Sequence, residues 1–103
     1  MKARHKFRAV ATIHDGRRFD SKREAAHAAH LDMCKRTGML LHYHRQVPIE
    51  LPGGNVYRVD FLCFWADRTC TYEEVKGMET QAWKIKERLL REAYPHIDLK
   101  VIR

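Results

Sequence analysis

"VYRVDFLCFW", residues 56–65, is followed by "ADRT", 66–69, and "CTYEEVK", 70–76, and the architecture turns on these three segments. The first run is aromatic and β-branched, as a buried strand requires, and the four polar residues after it form a turn. Residues 70–76 then continue as a second strand, closed by Gly77. Upstream, "PGGN" (52–55) separates this pair from a strand over Leu41–Leu51, whose Pro48 lacks an N–H and so demands an edge or a bulge. Three strands joined by short turns make a meander.

Helical patterns flank the meander. "DSKREAAHAAHLDMCKRTG" predicts a helix over about 21–37, capped by Asp20 or Ser21 and stopped at Gly38. A second helix is expected over Thr80–Tyr94, with Ala82, Ile85, Leu89 and Ala93 on one face and Pro95 ending it. "IDLKVI" alternates Ile97, Leu99 and Val101 with Asp98 and Lys100, a half-buried final strand. Lys6–Ile13, the "HDG" turn and "RRF" predict an N-terminal hairpin over about 6–19. The expected order is hairpin-α-β-β-β-α-β, a single α/β domain with a mixed central sheet between helices.

At 103 residues a second domain does not fit, and 45% hydrophobic with 32% charged residues supplies a core and excludes wholesale disorder. No apolar run reaches the ~20 residues of a membrane span, and "MKARHKFRAV" lacks a signal peptide's apolar block, so a cytoplasmic protein without membrane partners is expected. Lys and Arg number 20 against 13 acids, giving a net charge of +7 that favours a polyanionic partner, nucleic acid first. Cys34, Cys63 and Cys70 are odd in number with no CxxC spacing, which fits reduced thiols. Cys63 reads as a small core hydrophobe.

Strand alternation puts Glu74 and Lys76 on one side and Glu73 and Val75 on the other. Asp60 interrupts the apolar run of the preceding strand, where a carboxylate is costly unless a cation offsets its desolvation. If the two strands are neighbours, Asp60 and Glu74 lie close with Lys76 beside them. Such like charges repel each other when alone and become favourable around Mg²⁺, which prefers hard oxygen ligands and retains waters. The Val75 carbonyl is a further candidate ligand. Lys76 is placed to hold an attacking water or to stabilise charge on a phosphoryl oxygen. The plainer alternative is a surface Glu74–Lys76 pair with Asp60 at a wet strand end. Glu73, facing away, is expected to tolerate substitution.

Glu24 has two readings. "SKRE" matches a capping box with Ser21 as cap, yet Glu24 shares a helical face with Ala28 and Leu31 and so points toward the sheet. His27, His30 and Cys34 follow at i, i+3 and i+7 without a fourth ligand, and read as a helix side partly covered by the hairpin rather than a zinc site. His42 and His44 share a strand face, a polar surface or a phosphate contact. Lys84, Lys86, Arg88 and Arg91 form either a solvated helix face or a rail for phosphates, and "KARHKFR" a second basic arm. Trp83 and Tyr94 read as packing residues.

Taken together, "FDSKREAAHAAHL", "HRQVPIELPGGNVYRVDFLCFW", "TYEEVKG" and "KIKERLLREAYPHIDLKVI" resemble the PD-(D/E)XK nuclease superfamily from about Ile13 to Ile102. Small phage proteins of uncharacterised function sharing "DG-x-x-FDSK-x-EA", and Holliday-junction resolving enzymes of the phage endonuclease I type, are the nearest likenesses. The resemblance implies a restriction-endonuclease-like fold and a Mg²⁺-dependent DNA endonuclease, with Mn²⁺ substituting and no organic cofactor. It implies that Asp60 is the motif's aspartate, Glu74 and Lys76 its E-x-K, and Glu24 the first-helix glutamate that assists the metal. Val59 stands where the motif's name has proline. Gln46 matches a glutamine in similar proteins and, with Lys22, Lys84, Lys86, Arg88 and Arg91, is a candidate DNA contact. Branched DNA is the expected substrate, and cutting two strands implies a homodimer. The alternatives are a nicking, packaging or transposition nuclease, and a non-catalytic DNA-binding adaptor.

Overall fold

The structure, a computed structural model, describes residues 11–103. Strands β1 (Thr12–His14) and β2 (Arg17–Phe19) form an antiparallel hairpin. Its two-residue turn, Asp15 and Gly16, has positive φ at both positions (54° and 75°), which explains the Asp-Gly pair. The expected start of this hairpin before Ala11, and the basic arm "KARHKFR", lie outside the described residues.

Helix α1 (Lys22–Arg36) starts where the Ser21 hydroxyl accepts the Glu24 N–H at 3.1 Å. Ala25, Ala28, Leu31 and Cys34 recur every three residues and are buried as one stripe. Then come β3 (Leu40–Glu50), a short 3-10 turn (Pro52–Gly54), β4 (Val56–Trp65), β5 (Cys70–Val75), α2 (Gln81–Ala93) and β6 (Leu99–Ile102). The element order is the expected one. The four long strands form one sheet in the order β3-β4-β5-β6; the first three pair antiparallel, and β6 returns parallel to β5 after α2. Pro48 sits, as its missing N–H requires, in the edge strand β3.

Two cores hold the layers together. Phe19, Ala28, Leu31, Leu40, Phe61 and Cys63 pack with α1, while Leu51, Tyr57, Val59, Trp83, Leu90 and Leu99 pack with α2. Simple alternation would put Tyr57, Val59, Phe61 and Cys63 of β4 on one face. They divide between the two cores instead, and so do Tyr43 and Ile49 of β3. The division falls at Gln46 and Asp60, which stand opposite each other and are both skipped by a ladder otherwise running from His42↔Phe64 to Glu50↔Val56.

The buried face of α2 differs from the predicted one. Trp83 and Leu90 are its buried residues, whereas Ala82, Ile85 and Ala93 are exposed. The indole decides this, because it brings the largest apolar area on the helix and its Nε1 donates to the buried Tyr57 hydroxyl at 2.8 Å. No helix among the described residues is long and apolar enough to cross a membrane.

Candidate active site

Asp60 lies in the middle of β4 and Glu74 near the end of β5, and the β4–β5 ladder stops one residue short of them, at Phe61↔Glu73. Side chains take over there. The Asp60 N–H donates to Glu74 Oε1 at 3.3 Å, and the Val75 N–H donates to Asp60 Oδ2 at 2.9 Å. The expected closeness of the two carboxylates is therefore a consequence of two strands parting, with each acid accepting a backbone N–H that a continued ladder would have used.

Glu24 reaches the same place from the first turn of α1. Its backbone N–H is capped by Ser21, but its carboxylate does not complete a reciprocal capping box. It is buried against the sheet, where Gln46 Nε2 donates to Glu24 Oε2 at 3.1 Å and to Asp60 Oδ1 at 3.2 Å. Gln46 holds φ at 53°, a left-handed conformation that costs a non-glycine residue on the order of 1 kcal/mol. That distortion takes Gln46 out of the ladder and lets its amide bridge two acids.

Lys76 follows Glu74 on the same side, with Nζ 3.8 Å from Glu74 Oε2 and 5.5 Å from the centre of the Trp83 ring. Glu74 is buried at 5% exposure, so a solvated surface pair does not describe it. Glu24, Asp60, Glu74 and Lys76 all line one open cleft of about 700 Å³. The beginnings of both helices, at Ser21 and Thr80, border it as well, and helix N-termini favour anions.

The electrostatics follow from this crowding. Burial, then the neighbouring Asp60 carboxylate, pushes Glu24 up to about 7, against the opposing pull of Arg45 and Gln46. Burial and Asp60 likewise push Glu74 up to about 7, with Lys76 opposing. Asp60 is raised too, mainly by burial, although the Val75 N–H, Gln46 and Lys76 hold it down. Among the described residues no three His, Cys, Asp or Glu side chains form a ready-made metal cage. The donor set nonetheless suits a hard cation: carboxylate oxygens of Asp60 and Glu74, too close to ionise together cheaply, beside the peptide of Val75. Mg²⁺ needs only one or two carboxylates because it keeps several waters.

Two neighbouring cations were not foreseen. Arg23 lines the cleft and lies close against Gly77, where a Cβ would stand 3.1 Å from its Nε. Arg23 and Lys22 have no ion-pair partner among the described residues. For Arg23, a place in the first turn of α1 between Lys22 and Glu24 was the available signal. Arg45 stacks on Phe19 at 3.8 Å and has its guanidinium 4.0 Å from Glu24 Oε2, with its Nε buried and unpartnered among the described residues.

Of the predicted DNA contacts, Lys22 lines the cleft. Lys84, Lys86, Arg88 and Arg91 do not, and Arg91 is engaged with Glu87 at 2.9 Å. His42 and His44 share an exposed face of β3, where His42 stacks on Phe64. His27 turns toward the sheet rather than under the hairpin: its Nε2 is 2.5 Å from Glu73 Oε1, while His30 pairs with Cys34 at 3.7 Å, so the three do not share one site. Glu73 does face away from Glu74, but it is buried, and Thr71 also donates to it at 2.8 Å. Its expected tolerance to substitution does not fit that setting. Cys63 is fully buried, as expected, and burial pushes its thiol up to about 12.

Residues 4–103 match a protein family described as a protein of unknown function, DUF1064. No curated protein matches the chain.

Proposed function

The chain belongs to the DUF1064 family, and we propose that it is a Mg²⁺-dependent DNA endonuclease of the PD-(D/E)XK type, with a restriction-endonuclease-like fold. The observation that carries this reading is the convergence of Glu24, Asp60, Glu74 and Lys76 on one cleft whose rim also holds Lys22 and Arg23. Two buried acids, Glu24 and Glu74, crowded around a half-buried Asp60, with Arg45 and Lys76 only at the outer limit of ion-pair distance, are a costly arrangement for a purely structural role. Beside exposed basic residues they suit a phosphodiester, whose charge needs attraction at the rim and a hard cation at its centre.

Asp60 and Glu74, with the Val75 carbonyl, are the residues that would hold Mg²⁺. Once bound, the ion supplies Lewis-acid polarisation of the scissile phosphate and a water of lowered pKa. The chain's own groups do the rest. The Val75 N–H fixes the orientation of the Asp60 carboxylate, and the Asp60 N–H that of Glu74. Lys76, held between Glu74 and the face of Trp83, orients the incoming water and stabilises negative charge developing on a phosphoryl oxygen. Lys22, Arg23 and the two helix N-termini position flanking phosphates without reading sequence.

The basic residues that border the cleft suit phosphates rather than base edges, which favours recognition of DNA shape, with a four-way junction as first candidate. Two symmetric cuts call for two copies of the cleft, hence a homodimer in the cytoplasm. The test is cleavage of a four-way junction, linear duplex, single strand and supercoiled plasmid in Mg²⁺ or Mn²⁺, with Asp60→Asn and Lys76→Ala as controls. Junction cutting that both substitutions abolish supports the reading. Cutting that neither affects removes the site assignment, preference for another substrate redirects the target, and binding without cutting makes the protein an adaptor.

A further inference from the structure

Gln46 is the residue the cleft chemistry leaves unexplained. It sits in β3 with φ at 53°, outside the ladder, and its Nε2 donates to both Glu24 Oε2 and Asp60 Oδ1. A carboxamide nitrogen has two hydrogens, and both are used here. Turned the other way, its oxygen would face two carboxylate oxygens, which only an intervening cation or proton would make acceptable. Arg45 stands 4.0 Å from the same Glu24 oxygen and adds positive charge on that side.

We propose that Gln46 fills the ground between Glu24 and Asp60 that a second cation would need, so that the site takes a single divalent cation on the Asp60–Glu74 side. Glu24 is then a positioning residue: it anchors the Gln46 amide, and the amide in turn orients Asp60. The inference rests on the metal-dependent reading above, and extends it to the number of ions and the role of the first-helix acid. The alternative, a second ion shared by Glu24 and Asp60, would require the amide to give up both hydrogen bonds and an ion to settle beside the Arg45 guanidinium.

The experiment counts bound Mn²⁺ by electron paramagnetic resonance on the intact protein, for the wild type, Asp60→Asn, Glu24→Gln and Gln46→Glu, with circular dichroism to check folding. The expected result is one Mn²⁺ per chain in the wild type and in Glu24→Gln, none in Asp60→Asn, and a second in Gln46→Glu, where a carboxylate replaces the blocking amide. Two ions in the wild type, or loss of the single ion in Glu24→Gln, overturns the proposal while leaving a metal site in place. No ion in the wild type removes the metal-dependent reading itself, and this inference with it. The wild-type and Glu24→Gln counts decide the matter even if Gln46→Glu does not fold.

Discussion

Asp60 donates its backbone N–H to the Glu74 carboxylate at 3.3 Å, across the point where β4 and β5 cease to pair. The two acids therefore serve the fold and the cleft at once. Each satisfies, or is held by, a peptide group that the parting strands leave open, and this orients their remaining lone pairs before any ligand arrives. Preorganisation of this kind is what a phosphoryl-transfer site needs, since positioning and electrostatics account for most of its catalysis.

Adjacent glutamates should fail in opposite ways. Glu74→Gln is expected to lower Mg²⁺-dependent cleavage by about 10²–10³-fold, the usual scale for one charge-stabilising group, with little loss of stability. Glu73→Gln should keep most of the activity but lose about 1.5–3 kcal/mol of stability, because it weakens a buried carboxylate's bonds to His27 and Thr71. Cleavage assays paired with urea titrations check both.

Stability of the metal-free protein should fall as pH rises. Glu24 and Glu74 are held at about 7, above the ordinary 4.5, so the folded state keeps protons that the unfolded chain releases. The contribution of these two groups is then fully present below the unfolded value and is lost as pH rises from about 4.5 through 7, by on the order of 3 kcal/mol for each. Mg²⁺ should raise Tm more at pH 8 than at pH 5.5. Thermal melts with and without Mg²⁺ across that range measure both effects.

Arg23→Ala should weaken DNA binding and reduce the slope of log affinity against log salt by about 1, as for one lost phosphate contact. It should also slow cleavage, since Arg23 lines the cleft. The triple change Lys84→Ala, Lys86→Ala, Arg88→Ala should lower affinity without changing the cleavage rate at saturating DNA, because these residues lie outside the cleft lining. Fluorescence anisotropy at several salt concentrations, together with single-turnover kinetics, separates the two.

Acid should loosen the hairpin from α1. Asp32 accepts from Tyr43, Arg17 and, at 3.1 Å, pairs with His14. Burial raises its carboxyl, but the Tyr43 and His14 bonds and the Arg17 charge outweigh this and hold it below the ordinary 3.8. A lowered folded value means stability that is present above pH ~3.8 and lost as pH falls through the folded value. Asp32→Asn should cost about 1–2 kcal/mol at pH 7 and flatten the acid limb of the stability curve.

Much of the scaffold was legible in the sequence. Turn chemistry and periodicity located the described elements within a residue or two, because Asp15-Gly16, "PGGN", Ser21 and Pro95 act locally, through the backbone conformations they permit. Alternation also separated Glu74 from Glu73, and an acid inside an apolar run singled out Asp60. The buried face of α2 was less accessible: the spacing of four small or aliphatic residues competed with one tryptophan, and only the Tyr57 hydroxyl across the core resolved it. Glu73 was legible in direction but not in consequence, since its partner His27 lies 46 residues away.

Local sequence carries the order of the elements and the set of acids and bases available to one cleft. How those groups meet is a property of the folded chain. The face change of β3 and β4 at Gln46 and Asp60 breaks two-residue alternation, a break that depends on strands distant in sequence pairing and then parting. Gln46 bridges Glu24 and Asp60, and Arg23 lies against Gly77, for the same reason: long-range contacts fix side-chain partners, and local periodicity carries no information about them.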